Sequence, residues 1–375
     1  MKICIFTKTT IGAKWAYTFV EYAKLSNKHL KFYLITKNDS KNSKHFQKLF
    51  EKICYLDFHK TKILCDLWKV RSFVNINSIN VVHNFFALTA LYARLSLINT
   101  NVRILYEVVG PLHLENIIYR YCDVHILSKN TYWIATSEYI KELYLNTNIN
   151  KDKLFQSYLC IIPNPKPYNK SCKNTLRKRY NIPKTDKIIG SFSYIYPPKL
   201  FSSRGVKNHE MILKTAARML NKRNDVWFFI GGKFFKNDQK YKIKLRKLSS
   251  KIDSKKVVWL GYVDSIEQFL HEIDLFIHFP ISENLGGVYE SLLNNKITVA
   301  TNVGGISELV KHHVNGSLIE LDNINQAMDE IEYWLFKCID CAKFPQEGKL
   351  LVQKVFDINK SVNDRLLIYK EINEE

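Results

Sequence analysis

A strand–helix rhythm that runs, breaks at a group of prolines and then restarts constrains this chain more than any other feature. Lys2–Thr7 is apolar and β-rich, a turn follows at Thr9–Gly12, and residues 14–26 carry Trp15, Phe19, Tyr22 and Ala23 at helical spacing. Further strands are predicted at Leu30–Thr36, Ile53–Leu56, Val81–His83, Val102–Tyr106 and Tyr132–Thr136, with helices between them. Ser137 is placed to cap a helix that begins at Glu138. Alternation at this spacing specifies a parallel sheet covered on both faces.

Pro163, Pro165 and Pro167 interrupt the pattern, because three prolines in five residues continue neither a helix nor a central strand. The rhythm restarts with strands predicted at 188–192, 226–231, 257–260, 275–279 and 298–301. The helices are predicted at 174–180, 207–220, 238–252, 265–272, 287–295 and 305–312. The expected fold class is α/β, with two doubly wound, Rossmann-like domains at 1–165 and 166–345. A C-terminal segment, 346–375, helical over 347–371, is expected to pack back toward the first domain. Ligands of such sheets bind at the carboxyl ends of the strands, so functional residues are sought in the loops that follow strands, facing a central cleft.

The segment 275–316 is the richest in such residues. The strand ending at Phe279 and Pro280 leads into a loop that carries Glu283. Gly286 and Gly287 follow where a helix begins, small enough to let an anion approach backbone N–H groups. Glu290, one turn on, can accept two hydrogen bonds from a vicinal diol such as a ribose. Thr301–Gly305 is a second glycine turn after the next strand.

These motifs resemble the donor-binding region of retaining family 4 glycosyltransferases (glycosyl transferases group 1, GT-B fold). The resemblance is carried by Ser282-Glu283, Gly286, Glu290, Val299-Ala300-Thr301, Val303-Gly304-Gly305, Glu308-Leu309-Val310 and Asn315-Gly316. Ile162-Pro163-Asn164-Pro165, Leu260-Gly261-Tyr262-Val263 and Ile230-Gly231-Gly232 add to it upstream. It covers residues 160–320, with Glu283 and Glu290 separated by six residues where the family usually has seven. The resemblance implies a retaining hexosyltransferase that moves a sugar from a nucleotide-sugar to a glycan or lipid-linked acceptor in polysaccharide or lipopolysaccharide synthesis. No metal and no cofactor are expected. It assigns Arg204 and Lys207 to the donor diphosphate, and Gly12, Gly232, Gly286, Gly287 and Glu290 to the donor. Catalysis is assigned to Glu283, His113, Arg204 and Lys207, with Glu115 and His83 on the acceptor side. Another GT-B enzyme, a nucleotide-sugar epimerase or a phosphorylase, would share the diphosphate site.

Charge bears on partners. Lys and Arg number 56 against 35 Asp and Glu, a formal net charge of +21. Residues 1–187 hold 30 against 12, while 188–375 hold 26 against 23, so the excess sits in the first half. An anionic membrane surface is expected to face it, with Lys37, Lys41, Lys44, Lys48 and Lys52 as a basic helical face. Nucleic acid is not expected, since no helix-turn-helix, zinc-finger or RNP-type pattern is present. The apolar run Ile3–Phe6 is too short for a signal core, and Val81–Ile98 holds His83, Asn84 and Arg94, too polar to span a bilayer. A cytoplasmic protein, peripheral at the inner face of the membrane, is expected. The eight scattered cysteines read as reduced thiols, and Cys338-Ile-Asp-Cys341 as a lone CxxC without metal.

Overall fold

The computed structural model describes residues 1–9, 13–37, 47–163, 175–198, 202–234, 238–252, 255–339 and 344–374. It divides into two compact units, Met1–Pro163 with Val355–Glu375, and Asn164–Lys354.

The first unit is a seven-stranded parallel sheet. Its strands are β1 (Lys2–Phe6), β2 (Lys31–Lys37), β3 (Ile53–Leu56), β4 (Val81–Asn84), β5 (Arg103–Val108), β6 (Thr131–Ala135) and β7 (Leu154–Gln156), in the order β3-β2-β1-β4-β5-β6-β7. The central strands are buried almost throughout rather than alternately, because helices cover both faces. Ile3, Ile5, Phe32 and Leu34 pack with Phe19 and Val20 of the helix Lys14–Ser26. Cys4, Phe6, Tyr33 and Ile35 pack on the opposite face with Val70, Val74 and Tyr92. Ser137 caps its helix as expected, its Oγ accepting from the Ile140 N–H at 3.2 Å. The short strand β7 has no counterpart in the sequence reading: three half-buried residues offer too little periodicity to detect.

The second unit is a six-stranded parallel sheet: β8 (Lys187–Phe192), β9 (Val226–Gly231), β10 (Val257–Gly261), β11 (Leu275–His278), β12 (Thr298–Thr301) and β13 (Gly316–Ile319), ordered β10-β9-β8-β11-β12-β13. The order reverses between β8 and β11, the point where ligands of such sheets bind.

The C-terminal stretch differs from expectation in two ways. It is two helices, Phe344–Val355 and Ile358–Glu374, because the Asp357 carboxylate accepts from the N–H groups of Asn359 (2.9 Å) and Lys360 (3.0 Å) and so starts a new helix. The chain also changes unit between Lys354 and Val355, not at residue 345. The last helix packs against Lys14–Ser26, and its Arg365 forms a bidentate pair with Glu107 of β5 at 2.7 and 2.8 Å. Arg365 also donates to Ser157 Oγ and the Tyr158 carbonyl, both at 3.0 Å.

This division corrects the charge argument. The first unit holds 25 Lys and Arg against 16 Asp and Glu, and the second 31 against 19, so the net charges are +9 and +12. The basic stretch 164–187 belongs to the second unit and the acidic terminus to the first. The loading of the N-terminal half therefore does not describe a folded domain. Lys41 and Lys44 lie outside the described residues. Among those described, no helix is long and apolar enough to cross a membrane. Cys4, Cys54, Cys65, Cys122 and Cys160 are free thiols, as expected. Cys338 is disulfide-bonded, which departs from the expectation of reduced thiols.

Candidate functional site

The loops after β8, β9, β10 and β11 enclose a pocket of about 320 Å³ within the second unit, at the reversal of strand order. Each loop supplies part of it: Ser193 and Tyr194, Gly232 and Lys233, Tyr262 and Val263, and Glu283 with Gly286, Gly287 and Glu290. Lys207, which precedes the helix His209–Lys222, completes the lining with Tyr196 and His278.

The polar centre of this pocket is a group of three side chains, with His278 buried and Lys207 and Glu283 15% and 11% exposed. Glu283 receives the Lys207 ammonium and lies 3.0 Å from His278 Nε2. Burial pushes the Glu283 carboxyl upward, but Lys207 and the His278 contact more than offset it, and the group is lowered to about 2. It is therefore ionised at neutral pH and can only accept. Burial keeps His278 neutral by lowering its affinity for a proton, so its proton sits on Nε2, donated to Glu283. The result is one largely enclosed carboxylate held between a cation and a neutral imidazole. Behind it, His209 is pushed down to about 3 by burial and by His278 and Lys207. Its Nε2 lies 3.3 Å from Ser193 Oγ and its ring stacks on Trp259.

Two glycines are required by geometry. Gly287 has φ +72°, and a Cβ there would lie 3.6 Å from the His278 ring. Gly304, in the Thr301–Gly305 turn, has φ +59°, and its Cβ would fall 1.7 Å from the Glu283 carbonyl oxygen. The second glycine turn is thus the floor on which the Glu283 loop rests, and the Gly305 N–H donates to that same carbonyl at 3.4 Å. Gly304→Ala is expected to destabilise this unit by at least about 1–3 kcal/mol, the cost of left-handed backbone in a non-glycine residue, with the clash in addition. Thermal unfolding checks it: an unchanged melting temperature would mean that the two loops are not held together.

Glu283, Lys207, Gly232, Gly286, Gly287 and Glu290 all line one pocket. Arg204 does not; it pairs with Asp322 at a half-exposed position outside the lining. Gly12 lies outside the described residues. His113 and Glu115 are in the first unit, His113 with Nε2 at 3.2 Å from Tyr106 Oη and Glu115 accepting from Tyr139 Oη at 3.5 Å. The acceptor role expected of His83 finds no surface. The residue is fully buried, with Nδ1 at 2.6 Å from Tyr369 Oη and Nε2 at 3.1 Å from Glu107. His278 escaped the sequence reading. Its signal was a histidine closing a strand otherwise made of Leu275, Phe276 and Ile277, next to the switch point.

Residues 173–350 match the family described as Glycosyl transferases group 1. This segment is a Glycosyl transferases group 1 domain. The pocket described above lies wholly inside it. A curated relative of this chain is the poly(ribitol-phosphate) alpha-N-acetylglucosaminyltransferase of Staphylococcus aureus (strain COL), 28% identical over 178 residues. That match takes in 46% of this chain and 34% of the relative, so it spans about a third of the relative's length. This chain is similar in structure to a glycosyltransferase from Rickettsia africae ESF-5, with TM-score 0.79 and 19% identity over 99% and 98% of the two chains. It is similar also to Anabaena Alr3699/HepE, crystallised with UDP-glucose, with TM-score 0.81 and 17% identity over 98% and 99%. At these identities the likeness establishes the fold, that of GT-B glycosyltransferases.

Proposed function

We propose that the protein is a glycosyltransferase that takes a sugar from a nucleoside-diphosphate donor and passes it, with retention of anomeric configuration, to a hydroxyl of a cell-surface glycan or lipid-linked glycan. The observation that carries this reading is the pocket of the group 1 domain, with Lys207 and Glu283 at its centre and Glu290 on its wall. Lys207 is the cation for the donor diphosphate, exchanging Glu283 for a phosphate oxygen as the donor enters. A preorganised ammonium in a water-poor site stabilises the charge that develops on the leaving diphosphate. The backbone at Gly286 and Gly287 lets the phosphates approach, and Glu290 takes the ribose hydroxyls. Glu283, oriented by His278, is then left to face the transferred sugar. The glycosidic bond breaks toward an oxocarbenium-like state, the acceptor hydroxyl attacks from the leaving-group face, and its proton passes to the departing phosphate oxygen. The reading assigns charge stabilisation to side chains, with no metal. His113 and Glu115 are its candidates for the sugar and acceptor side. The name of the Staphylococcus relative supports a polyol-phosphate glycan as one acceptor class, and the UDP-glucose complex of the Anabaena neighbour supports a uridine donor.

Thermal stabilisation by UDP, GDP, ADP, CMP and their sugars tests the donor. A ligand at a hundred times its dissociation constant adds about 2.7 kcal/mol. One diphosphate is expected to stabilise selectively, and Glu290→Ala to weaken it about tenfold or more through loss of two charge-assisted hydrogen bonds. A shift unchanged in Glu290→Ala would remove that residue from the site, and no shift with any nucleotide would remove the proposal.

A further inference from the structure

The first unit carries a surface that its own folding does not explain. The helix Ile117–His125 buries a single residue, Val124, while Ile117, Ile118, Tyr119 and Tyr121 are 61–73% exposed. The helix is nonetheless firmly anchored. Asn116 caps its start, and Asp123 accepts from Trp133 Nε1 (3.1 Å) and Tyr144 Oη (2.7 Å) and pairs with Arg94 at 3.0 Å. A rigid support therefore holds out large apolar side chains that the core does not use.

The exposure continues onto the neighbouring helices. Arg94, on Ala87–Ser96, ties that helix to Ile117–His125. Arg71, on Ile63–Ile76, donates to the carbonyls of Ser96 and Ile98 and so ties the third. Leu64 (83% exposed) and Trp68 (68%) stand one turn apart on Ile63–Ile76, and Leu91 is exposed on Ala87–Ser96. All three helices cover the sheet face of Cys4, Phe6 and Tyr106, opposite the helices Lys14–Ser26 and Ile358–Glu374. An apolar surface of this kind on a soluble fold marks an interaction site.

Charge selects the partner. These three helices contain two carboxylates: Asp66 is buried, and Asp123 is 9% exposed and paired with Arg94. Their remaining charge is positive: Arg71 is exposed, Arg120 is half-buried, and Lys69 is half-buried with its ammonium 3.8 Å from the Asp57 carboxylate. Arg120 has no carboxylate partner among the described residues. Aliphatic side chains, amphipathic Trp and Tyr rings and an excess of cations are what an anionic bilayer surface accepts. We infer that this three-helix face docks the protein on an anionic lipid bilayer, with Ile117, Ile118 and Tyr121 entering the headgroup–acyl boundary.

Vesicle flotation of the full chain tests this, using phosphatidylcholine alone and phosphatidylcholine with phosphatidylglycerol. The protein is expected to float with the anionic vesicles and to remain bound in salt that screens surface charge. The double variant Ile117→Glu, Ile118→Glu is expected to lose at least about tenfold in vesicle affinity, since two apolar side chains no longer transfer. Both sites are exposed, so its melting temperature should match the parent's. Failure of the parent to float overturns the inference, as does equal flotation of the variant or binding that salt abolishes completely. A dimer in light scattering that dissociates in the variant would assign the face to a second copy instead. Nucleotide stabilisation, measured in the same variant, reports on the pocket alone, so the two readings fail separately.

Discussion

Lys207→Ala is expected to lower kcat/KM by about 10²–10³-fold, the loss typical of one preorganised donor at a developing negative charge. The effect should fall largely on kcat, because the leaving diphosphate carries more charge in the transition state than in the bound donor. A second, structural signature separates this from general damage. Glu283 is lowered to about 2 although burial pushes it upward, and the charge of Lys207 is the strongest single influence that holds it down. Without the ammonium, the buried carboxylate keeps only His278, and its proton affinity rises. A carboxyl whose folded pKa lies above its unfolded value contributes stability below the unfolded value and loses it as pH rises. The variant should therefore lose stability relative to the parent at neutral pH and recover part of it in mild acid. Adding Glu283→Gln to the variant should abolish that pH dependence, because the carboxyl is gone. A Lys207→Ala protein with parental kcat and a parental pH–stability profile would show that the pair has no part in the site.

The second large effect concerns the joint between the C-terminal helix and the first sheet. Arg365→Met is expected to destabilise the first unit by about 3–5 kcal/mol, because it leaves the buried Glu107 carboxylate without its bidentate partner. Burial pushes Glu107 upward, while Arg365 and His83 pull it down to about 2 from an ordinary 4.5. A carboxyl depressed in the folded state contributes stability above its unfolded value, and that contribution is lost as pH falls from about 4.5 toward 2. The parent should weaken across that window. The Arg365→Met variant should lack this loss and gain in relative terms as Glu107 becomes protonated. Urea unfolding followed from neutral pH down to about 3 measures both slopes. Parallel slopes would mean that the pair contributes nothing to stability.

How much of this was legible in the sequence depended on the range of the interaction. The helix Lys14–Ser26, the strand Ile53–Leu56 and the Ser137 cap were read correctly, since periodicity and capping act within one or two turns. The Glu283–Glu290 segment was legible because its glycines and carboxylates lie close together along the chain, and the fold brings that whole run to the mouth of one sheet. What followed from contacts between distant segments was not legible. Arg204 faces Asp322, 118 residues away, and His83 is enclosed by Tyr369, 286 residues away. Neither partner left a mark near the residue it captured. The uneven charge of the two halves likewise vanished once the last helix joined the first unit. The sequence alone determined that two parallel sheets form and which loops hold the polar residues, because hydrophobic period and glycine placement are local properties. Tertiary structure alone decided that His278 orients Glu283, that His83 is a core residue and that three helices hold an apolar face to solvent. Those outcomes rest on burial and proximity, which exist only once the chain has closed on itself.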